Sequence, residues 1–578
     1  MRWQKRELPL HELGAKILYD AFLDYIAHFR RLTLQARSRF EQRDWPAGRR
    51  DAVARLGVYR SAVREGLHAL EGTMGVALRD RNTWRRIKRE YAQRIAARGD
   101  VEIAETFFNS ATRRIFTTIG VDREIEFLAH DDTAVNERAR GTVVEVFIRR
   151  TDVRDLAREI LHRYRFSVGY EDLERDARLL AGEIESYTPR IGVRSIELVR
   201  PVFYRNKGAY IIGRIRGYEG TLPLVIALLN VHGQARVDAV LLAEHEVSVV
   251  FSFTRSYFLV AAERPRVLVR FLQSIMRHKP LDELYNSIGY NRHGKSELYR
   301  ALLQQLERSD DRFEIALGAR GMVMIVFTMR SFDVVFKVIR DHFAPPKNTT
   351  RRQVMQKYQL VFQHDRAGRL VDAQEFEYFK FARERFAPEL LDELRTHAAQ
   401  SVDVDATHVV IRHLYTERRL VPLDLYLREA DPEQARAAVL DYGQALRDLA
   451  ATNIFPGDLL PKNFGVTRNR RLVFYDYDEL CLLTDCRFRR LPQPSTDEEE
   501  MAGEAWFYTD DRDIFPEEFA QFLEFRGPLR QAFLEAHSEL LDVRFWRRRQ
   551  QAQRTTAMAD LYPYPPERRL HARGADEG

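Results

Sequence analysis

The chain has 578 residues, 45% hydrophobic and 31% charged, with 92 basic against 85 acidic side chains and a net charge of +7. That length exceeds what one hydrophobic core fills, so two or more domains are expected. No run reaches the roughly 18 consecutive apolar residues needed to cross a bilayer. The opposite charges are interspersed, which favours anionic ligands only mildly. Residues 1–7 carry basic side chains with no apolar stretch behind them, which argues against a secretory leader and for a cytoplasmic location. Only Cys481 and Cys486 are available as thiols, too few for a disulfide framework or a four-cysteine metal site.

From Leu18 the apolar positions Leu18, Phe22, Tyr25 and Phe29 recur at helical spacing, and similar patterns continue through much of the first 190 residues. Three β-prone runs follow, 209–215, 222–229 and 237–242, separated by turns at Gly220 and Gly233, and predict a small antiparallel sheet. The polar stretch 307–312 marks the main boundary, giving domains 1–310 and 311–578. Near the end, Arg544–Arg549 mixes guanidinium and aromatic groups as a nucleic-acid surface does, although a solvated helix face anchored by Trp546 is the better reading. The prolines of 563–566 predict a frayed tail.

The residues that carry chemistry lie in the second half. Ala316, Leu317, Gly318, Ala319, Arg320, Gly321 and Met322 connect two strand-like stretches, 313–315 and 322–328, so two glycines sit in a loop whose amides can approach phosphates. The next strand, 334–340, carries Lys337 between Phe336 and Val338, a costly place for an ammonium unless it meets an anion. Strand 375–381 follows, then an apolar strand, 409–415, which runs through a polar link, 416–419, into a short helix, 422–427. That succession matches the hinge between two kinase lobes. Helix 433–452 delivers Asp458 and Asn463 at the Asp-x-x-x-x-Asn spacing of a kinase catalytic loop. Strand 472–475 ends at Asp476-Tyr477-Asp478, in the place of the metal-binding Asp-Phe-Gly.

Singly, each piece also fits a turn, a snorkelling lysine or a cap. Their order is what counts, because phosphoryl transfer needs a phosphate cradle, a lysine, a base and metal-holding groups in this succession. The pattern has departures. Gly457 stands where kinases have the arginine of His-Arg-Asp, no glycine follows Tyr477, and no Ala-Pro-Glu comes after. Helix 351–365 offers no glutamate, so the partner of Lys337 stays unassigned. The expected fold class is α+β: a mainly helical N-terminal domain with a small antiparallel sheet, then a bilobal eukaryotic-like protein-kinase fold.

Several stretches together resemble the isocitrate dehydrogenase kinase/phosphatase family. They are 320–324, 335–339, 453–458, 462–466 and 474–479, with 107–110, 203–207 and 255–258 in the N-terminal half. The resemblance implies that Ala316 to Met322 and Lys337 bind ATP, that Asp458 is the kinase base, and that Asn463 and Asp476 hold Mg2+. It matches Asp372 to the family's phosphatase aspartate, with ATP or ADP needed for that reaction, and makes the N-terminal domain regulatory, with AMP as effector. It also implies a serine of isocitrate dehydrogenase, a dimeric partner gripped by the segment 485–500, as the substrate. The expected partners exclude nucleic acid and membrane and leave a homodimer open.

Two look-alikes are set aside. Gly289–Ser296 satisfies the P-loop pattern, but the preceding 281–288 has helical rather than strand spacing. Cys481 and Arg487 fit Cys-x5-Arg, yet Leu482, Leu483 and Asp485 make a poor phosphate cradle. Two rivals remain, a catalytically dead kinase-like scaffold and a nucleic-acid-binding protein.

Overall fold

The computed structural model describes residues 8–571 apart from 129–140, 188, 190, 191, 253–256, 319, 346, 348, 365, 493–506, 511 and 556–559. The long helices Leu10–Glu41 and Trp45–Met74 pair and pack on Arg81–Ile95 and Val101–Phe116. Phe22, Tyr25, Trp84, Tyr91, Phe107 and Phe108 fill the space between them. The helical periodicity read from Leu18 onward is the buried stripe of the first helix.

A six-stranded antiparallel sheet follows, formed by β1 (Val144–Ile148), β2 (Ser195–Val199), β3 (Phe203–Arg205), β4 (Gly208–Arg216), β5 (Thr221–Val231) and β6 (Gln234–Leu241). The spatial order is β1-β2-β4-β5-β6, with β3 on β4. The sequence predicts only the last three strands. Both faces are covered: Tyr210, Ile212, Val225 and Ala227 face the helical bundle, whereas Ile211, Leu224, Ile226 and Leu228 pack with helices Val153–Arg163 and Leu173–Tyr187. A strand buried on both faces shows no polar alternation, which is why β5 reads as an unbroken apolar run.

The second half has two lobes. The smaller is a sheet of β7 (Phe313–Ile315), β8 (Met324–Met329), β9 (Phe332–Ile339), β10 (Ala373–Ala382), β11 (Val402–Val404) and β12 (His408–Arg418). Its order is β10-β12-β9-β8-β7, with β11 on β12 and helix Arg351–His364 alongside. Chain then passes through Val421–Pro422 into helix Leu423–Glu429 and a mostly helical lobe built on Pro432–Ala451, Gly527–His537 and Val543–Arg554. The fold class is the expected α+β, with the helical and sheet-bearing domain first and the bilobal unit second. Among the described residues no helix is long and apolar enough to cross a membrane.

Several local readings meet their test here. The P-loop look-alike follows helix Leu281–Ser287 and itself enters helix Asn291–Arg308, with Lys295 Nζ 4.7 Å from the centre of the Phe376 ring. Cys481 and Cys486 are free thiols with Sγ atoms 3.5 Å apart, and Arg487 is paired with Asp513 at 2.9 Å. In the basic cluster Trp546 is fully buried, stacks on Phe488 at 5.2 Å and donates to the Leu540 carbonyl at 2.8 Å. Arg547 is spent on the Phe488 carbonyl at 3.0 Å, as the helix-anchor reading requires.

The frayed tail is a correction as far as His571, and 572–578 lie outside the described residues. Tyr564 donates to Asp238 at 2.8 Å, Arg569 pairs with the same carboxylate at 2.9 Å, and the Leu570 amide donates to the Asp238 carbonyl at 2.8 Å. Proline-rich backbone has few amides to offer a sheet, but here the Tyr564 and Arg569 side chains, with the Leu570 amide, fasten it to β6.

Candidate active site

β9 places Lys337 opposite Tyr415 of β12, and alternation along β12 puts Glu417 on the same face as Tyr415. The ammonium meets the Glu417 carboxylate at 2.7 Å and donates to the Tyr475 carbonyl at 3.0 Å. Glu417 is therefore the acid that the sequence leaves unassigned. Helix Arg351–His364, where a kinase carries the glutamate, contributes Tyr358 instead. Its hydroxyl donates to Glu417 at 3.2 Å and its ring stacks on Tyr415 at 3.8 Å. Burial lifts the Glu417 carboxyl above its ordinary value, and Lys337 and Tyr358 pull it back only in part. That cost is the usual one for a charged pair taken out of water.

The glycine loop runs from Ala316, whose amide donates to Val326 at 3.0 Å, to the start of β8. Gly318 has φ +113°, a conformation other residues rarely adopt, and Leu317 beside it is 95% exposed. A Cβ on Gly321 would lie 2.8 Å from the Met324 carbonyl oxygen. The loop's outer strand is tied back through Glu393, which pairs with Arg320 at 3.2 Å and Arg340 at 2.5 Å. Ala319 lies outside the described residues.

Asp458 is half-buried at the mouth of the other lobe, and its carboxylate accepts the Leu460 amide at 2.9 Å. Gly457 before it has φ +83°, and a Cβ there would meet the Glu479 carbonyl oxygen at 2.5 Å. The arginine of a standard catalytic loop cannot occupy that place. Asn463 is buried, its amide donating to Leu460 O at 3.0 Å and its carbonyl accepting Tyr475 N at 3.1 Å. Asp476 lies in the electrostatic field of Asp458, Lys337 and Lys347. Burial raises the Asp476 carboxyl, with Asp458 adding to the rise and the two lysines opposing it. Asp478 is pushed to about 7 by burial and by Asp476. Lys347 balances this cluster from the small lobe, pairing with Glu479 at 2.7 Å. Sequence reasoning missed Glu417, Tyr358, Lys347 and Asp478.

The residues fit a divalent cation on two counts. The Asn463 Nδ2 is buried with no hydrogen-bond partner, and since the two amide positions are interchangeable, that site can equally present an oxygen. The neighbouring carboxylates repel one another, which a cation would relieve. Among the described residues no three His, Cys, Asp or Glu side chains form a ready-made cage. Mg2+ needs none, because one or two protein ligands plus nucleotide phosphates suffice.

Asp372 sits just before β10, on the seam with the N-terminal domain. Its carboxylate accepts from Asn286 at 3.1 Å and from Gln374 at 2.9 Å. The preceding Val371 links this segment to the Asp476 turn: its amide donates to Phe474 O at 3.1 Å and its carbonyl accepts the Tyr477 hydroxyl at 2.6 Å. The structure thus brings Lys337, Asp458, Asn463 and Asp476 around one cleft and attaches Asp372 to its rear wall. On the same seam Glu283 pairs with Lys279 at 3.1 Å and with Arg418 at 2.5 Å. Arg418 is the residue next to Glu417, so the N-terminal domain grips the end of the hinge strand directly.

A lysine on the third strand of a small lobe, with aspartate and asparagine on the loops of a helical lobe, defines a protein-kinase-like phosphotransferase. Residues 311–566 match the isocitrate dehydrogenase kinase/phosphatase (AceK) kinase domain, and residues 15–310 match the regulatory domain of the same family. The chain belongs to the isocitrate dehydrogenase kinase/phosphatase family. It is 50% identical to proteins of that name from Anaeromyxobacter sp. (strain Fw109-5) and Anaeromyxobacter dehalogenans (strain 2CP-C), over 96% of this chain and 97% of each relative. Identity to the one from Xanthomonas euvesicatoria pv. vesicatoria (strain 85-10) is 45%, with the same coverage.

Glu417→Gln keeps the side-chain shape and removes the charge. It is expected to raise the KM for ATP about tenfold, equivalent to about 1.4 kcal/mol, with a smaller effect on kcat. Steady-state kinetics at varied ATP checks this, and an unchanged KM would mean that Lys337 holds its place without Glu417.

Proposed function

We propose that this chain phosphorylates a serine of isocitrate dehydrogenase and removes the phosphate again, dividing isocitrate between the Krebs cycle and the glyoxylate bypass. The observation that carries the reading is the convergence of Lys337, Asp458, Asn463 and Asp476 on one cleft in a chain whose relatives bear that name. In the forward direction the glycine-loop amides and Lys337 hold the nucleotide phosphates, and Asp458 orients the serine hydroxyl and takes its proton as the oxygen attacks. Asn463 and Asp476 would hold Mg2+, which supplies charge neutralisation on the phosphates when bound. The segment 485–500 is the proposed grip on the substrate dimer, and 493–500 of it lie outside the described residues. A cytoplasmic site of action follows from that partner.

Asp458→Ala and Lys337→Met are each expected to abolish phosphorylation, the first by removing hydroxyl orientation and the second by removing charge from the phosphates. A radiolabelled-ATP assay on isocitrate dehydrogenase measures it, and near wild-type incorporation in either variant would refute the assignment.

Dephosphorylation uses the same cleft with water as the acceptor. The two thiols are packed against each other rather than set in a phosphate cradle, and no binuclear carboxylate cage is present among the described residues. Asp372 is the carboxylate we assign to that half of the cycle, orienting or deprotonating the water, with ADP or ATP required. Asp372→Ala is expected to lose phosphate release while keeping most of the forward activity, which relies on Asp458. Release at the normal rate from phospho-isocitrate dehydrogenase would show that the water is activated elsewhere.

AMP is proposed to act at the junction of the two domains, where Glu283 and Asn286 meet Arg418 and Asp372. Bound there, it would shift the ratio of the two activities. Purely ATP-competitive inhibition with a fixed ratio of rates would rule this out.

A further inference from the structure

Away from the cleft lies a cavity of ≈ 70 Å³, between helices Leu10–Glu41 and Trp45–Met74, the β3–β4 turn and the kinase-domain residue Arg366. Phe40, Trp45, Tyr204 and Tyr257 form apolar walls, and four arginines line it.

Two of those arginines are already used. Arg39 pairs with Asp51 at 2.8 Å and Asp44 at 3.2 Å, and Arg205 donates to the Val250 carbonyl at 2.6 Å. Arg49 and Arg366 are different: among the described residues neither side chain makes a hydrogen bond or an ion pair, and no carboxylate lines the cavity. Both line the cavity, Arg366 half-buried and Arg49 exposed at its rim. Burial and the Arg49 charge together push the Arg366 guanidinium down to about 10. A half-buried guanidinium beside a second positive charge is stabilised when an anion lies between them. Planar guanidinium groups suit oxyanions, which they can bind through two parallel hydrogen bonds.

Arg366 is also held in place from behind. Three residues on, Arg369 is buried and pairs with Asp441 at 2.7 Å and Asp448 at 2.8 Å of helix Pro432–Ala451. Two residues before it, helix Arg351–His364 ends, the helix whose Tyr358 touches Glu417.

We propose that this cavity binds a small oxyanion, a phosphate or carboxylate group, clamped between Arg49 of the N-terminal domain and Arg366 of the kinase domain. Its occupant would join the second N-terminal helix to the segment behind the Lys337–Glu417 pair. The site shares no residue with the cleft, so its existence does not depend on the activity assigned above.

Inorganic phosphate and malonate are the probes, titrated separately into the full chain with saturating Mg2+ and ADP in the cleft. Ionic strength is held constant with chloride so that general screening cancels. Thermal melting and calorimetric titration give the readouts. AMP is left out because its adenine also fits the cleft. Wild type is expected to bind one equivalent of at least one probe and to melt higher with it. Arg366→Gln and Arg49→Gln should each weaken that binding at least about tenfold, since each removes one of two charges on the anion. Without anion, Arg366→Gln should melt at the wild-type temperature or above, because a repulsive charge has gone. The responding probe tells a phosphate from a carboxylate ligand. No response to either probe, an equal response in the variants, or a lower melting temperature for anion-free Arg366→Gln would each overturn the proposal.

Discussion

A lysine in the middle of an apolar strand is the constraint around which the second half of this protein is arranged. Lys337 is 7% exposed, and an ammonium taken that far from water is tolerated only with a partner of opposite charge and further acceptors. Glu417 and the Tyr475 carbonyl meet that demand. Their positions in turn fix the neighbouring elements: β12 must reach past its apolar stretch to present Glu417, and the chain after strand Leu472–Phe474 must pass beneath Lys337 to present Tyr475. Asp476 follows immediately, so meeting the needs of the lysine also places a metal-binding candidate beside it. Tyr358 then fits helix Arg351–His364 to the same pair through a hydroxyl instead of a carboxylate.

Alternation along β12 gives that pair a second consequence. Glu417 turns toward the cleft, and the next residue, Arg418, turns toward the N-terminal domain and Glu283. Burial would push Glu283 up, but Arg418 and Lys279 hold it at about 2, so it stays charged at neutral pH. One peptide unit therefore separates the group that holds Lys337 from the group that receives the other domain. Arg418 and Glu417 thus tie helix Leu281–Ser287 and the Lys337 ammonium to adjacent residues of one strand.

What the sequence conveys and what it hides follow the same physics. Lys337, Asp458, Asn463 and Asp476 are legible because each lies in a short local pattern whose spacing chemistry dictates. Glu417 is not, although it is only two residues from Tyr415. A polar run, 416–419, reads as a link off the sheet, whereas the strand continues to Arg418 because both its charged residues find distant partners. The tail is a similar case. Tyr564 meets Asp238 across 326 residues, a separation no local composition can signal. β1, β2 and β3 are three to five residues long and stand among helical patterns, too short for a period of two to emerge.

The departures from the usual kinase pattern are linked. Gly457 replaces an arginine because the backbone there is left-handed and the Glu479 carbonyl fills the space a side chain would need. Glu479 is that close because the turn after Asp476 continues through Tyr477 and Asp478 without a glycine, with Tyr477 buried and its hydroxyl bonded to Val371. Losing the arginine removes a positive charge from a cleft that has gained Asp478 and Glu479. Lys347, delivered by the small lobe, restores it through its pair with Glu479 and through its field on Asp476 and Asp478. A lysine from the opposite lobe differs from an arginine in the catalytic loop in one respect that matters: it reaches the carboxylates across the boundary between the lobes. The charge balance around Asp476 therefore draws on lysines of the small lobe, Lys337 and Lys347, where a standard catalytic loop would supply an arginine of its own lobe.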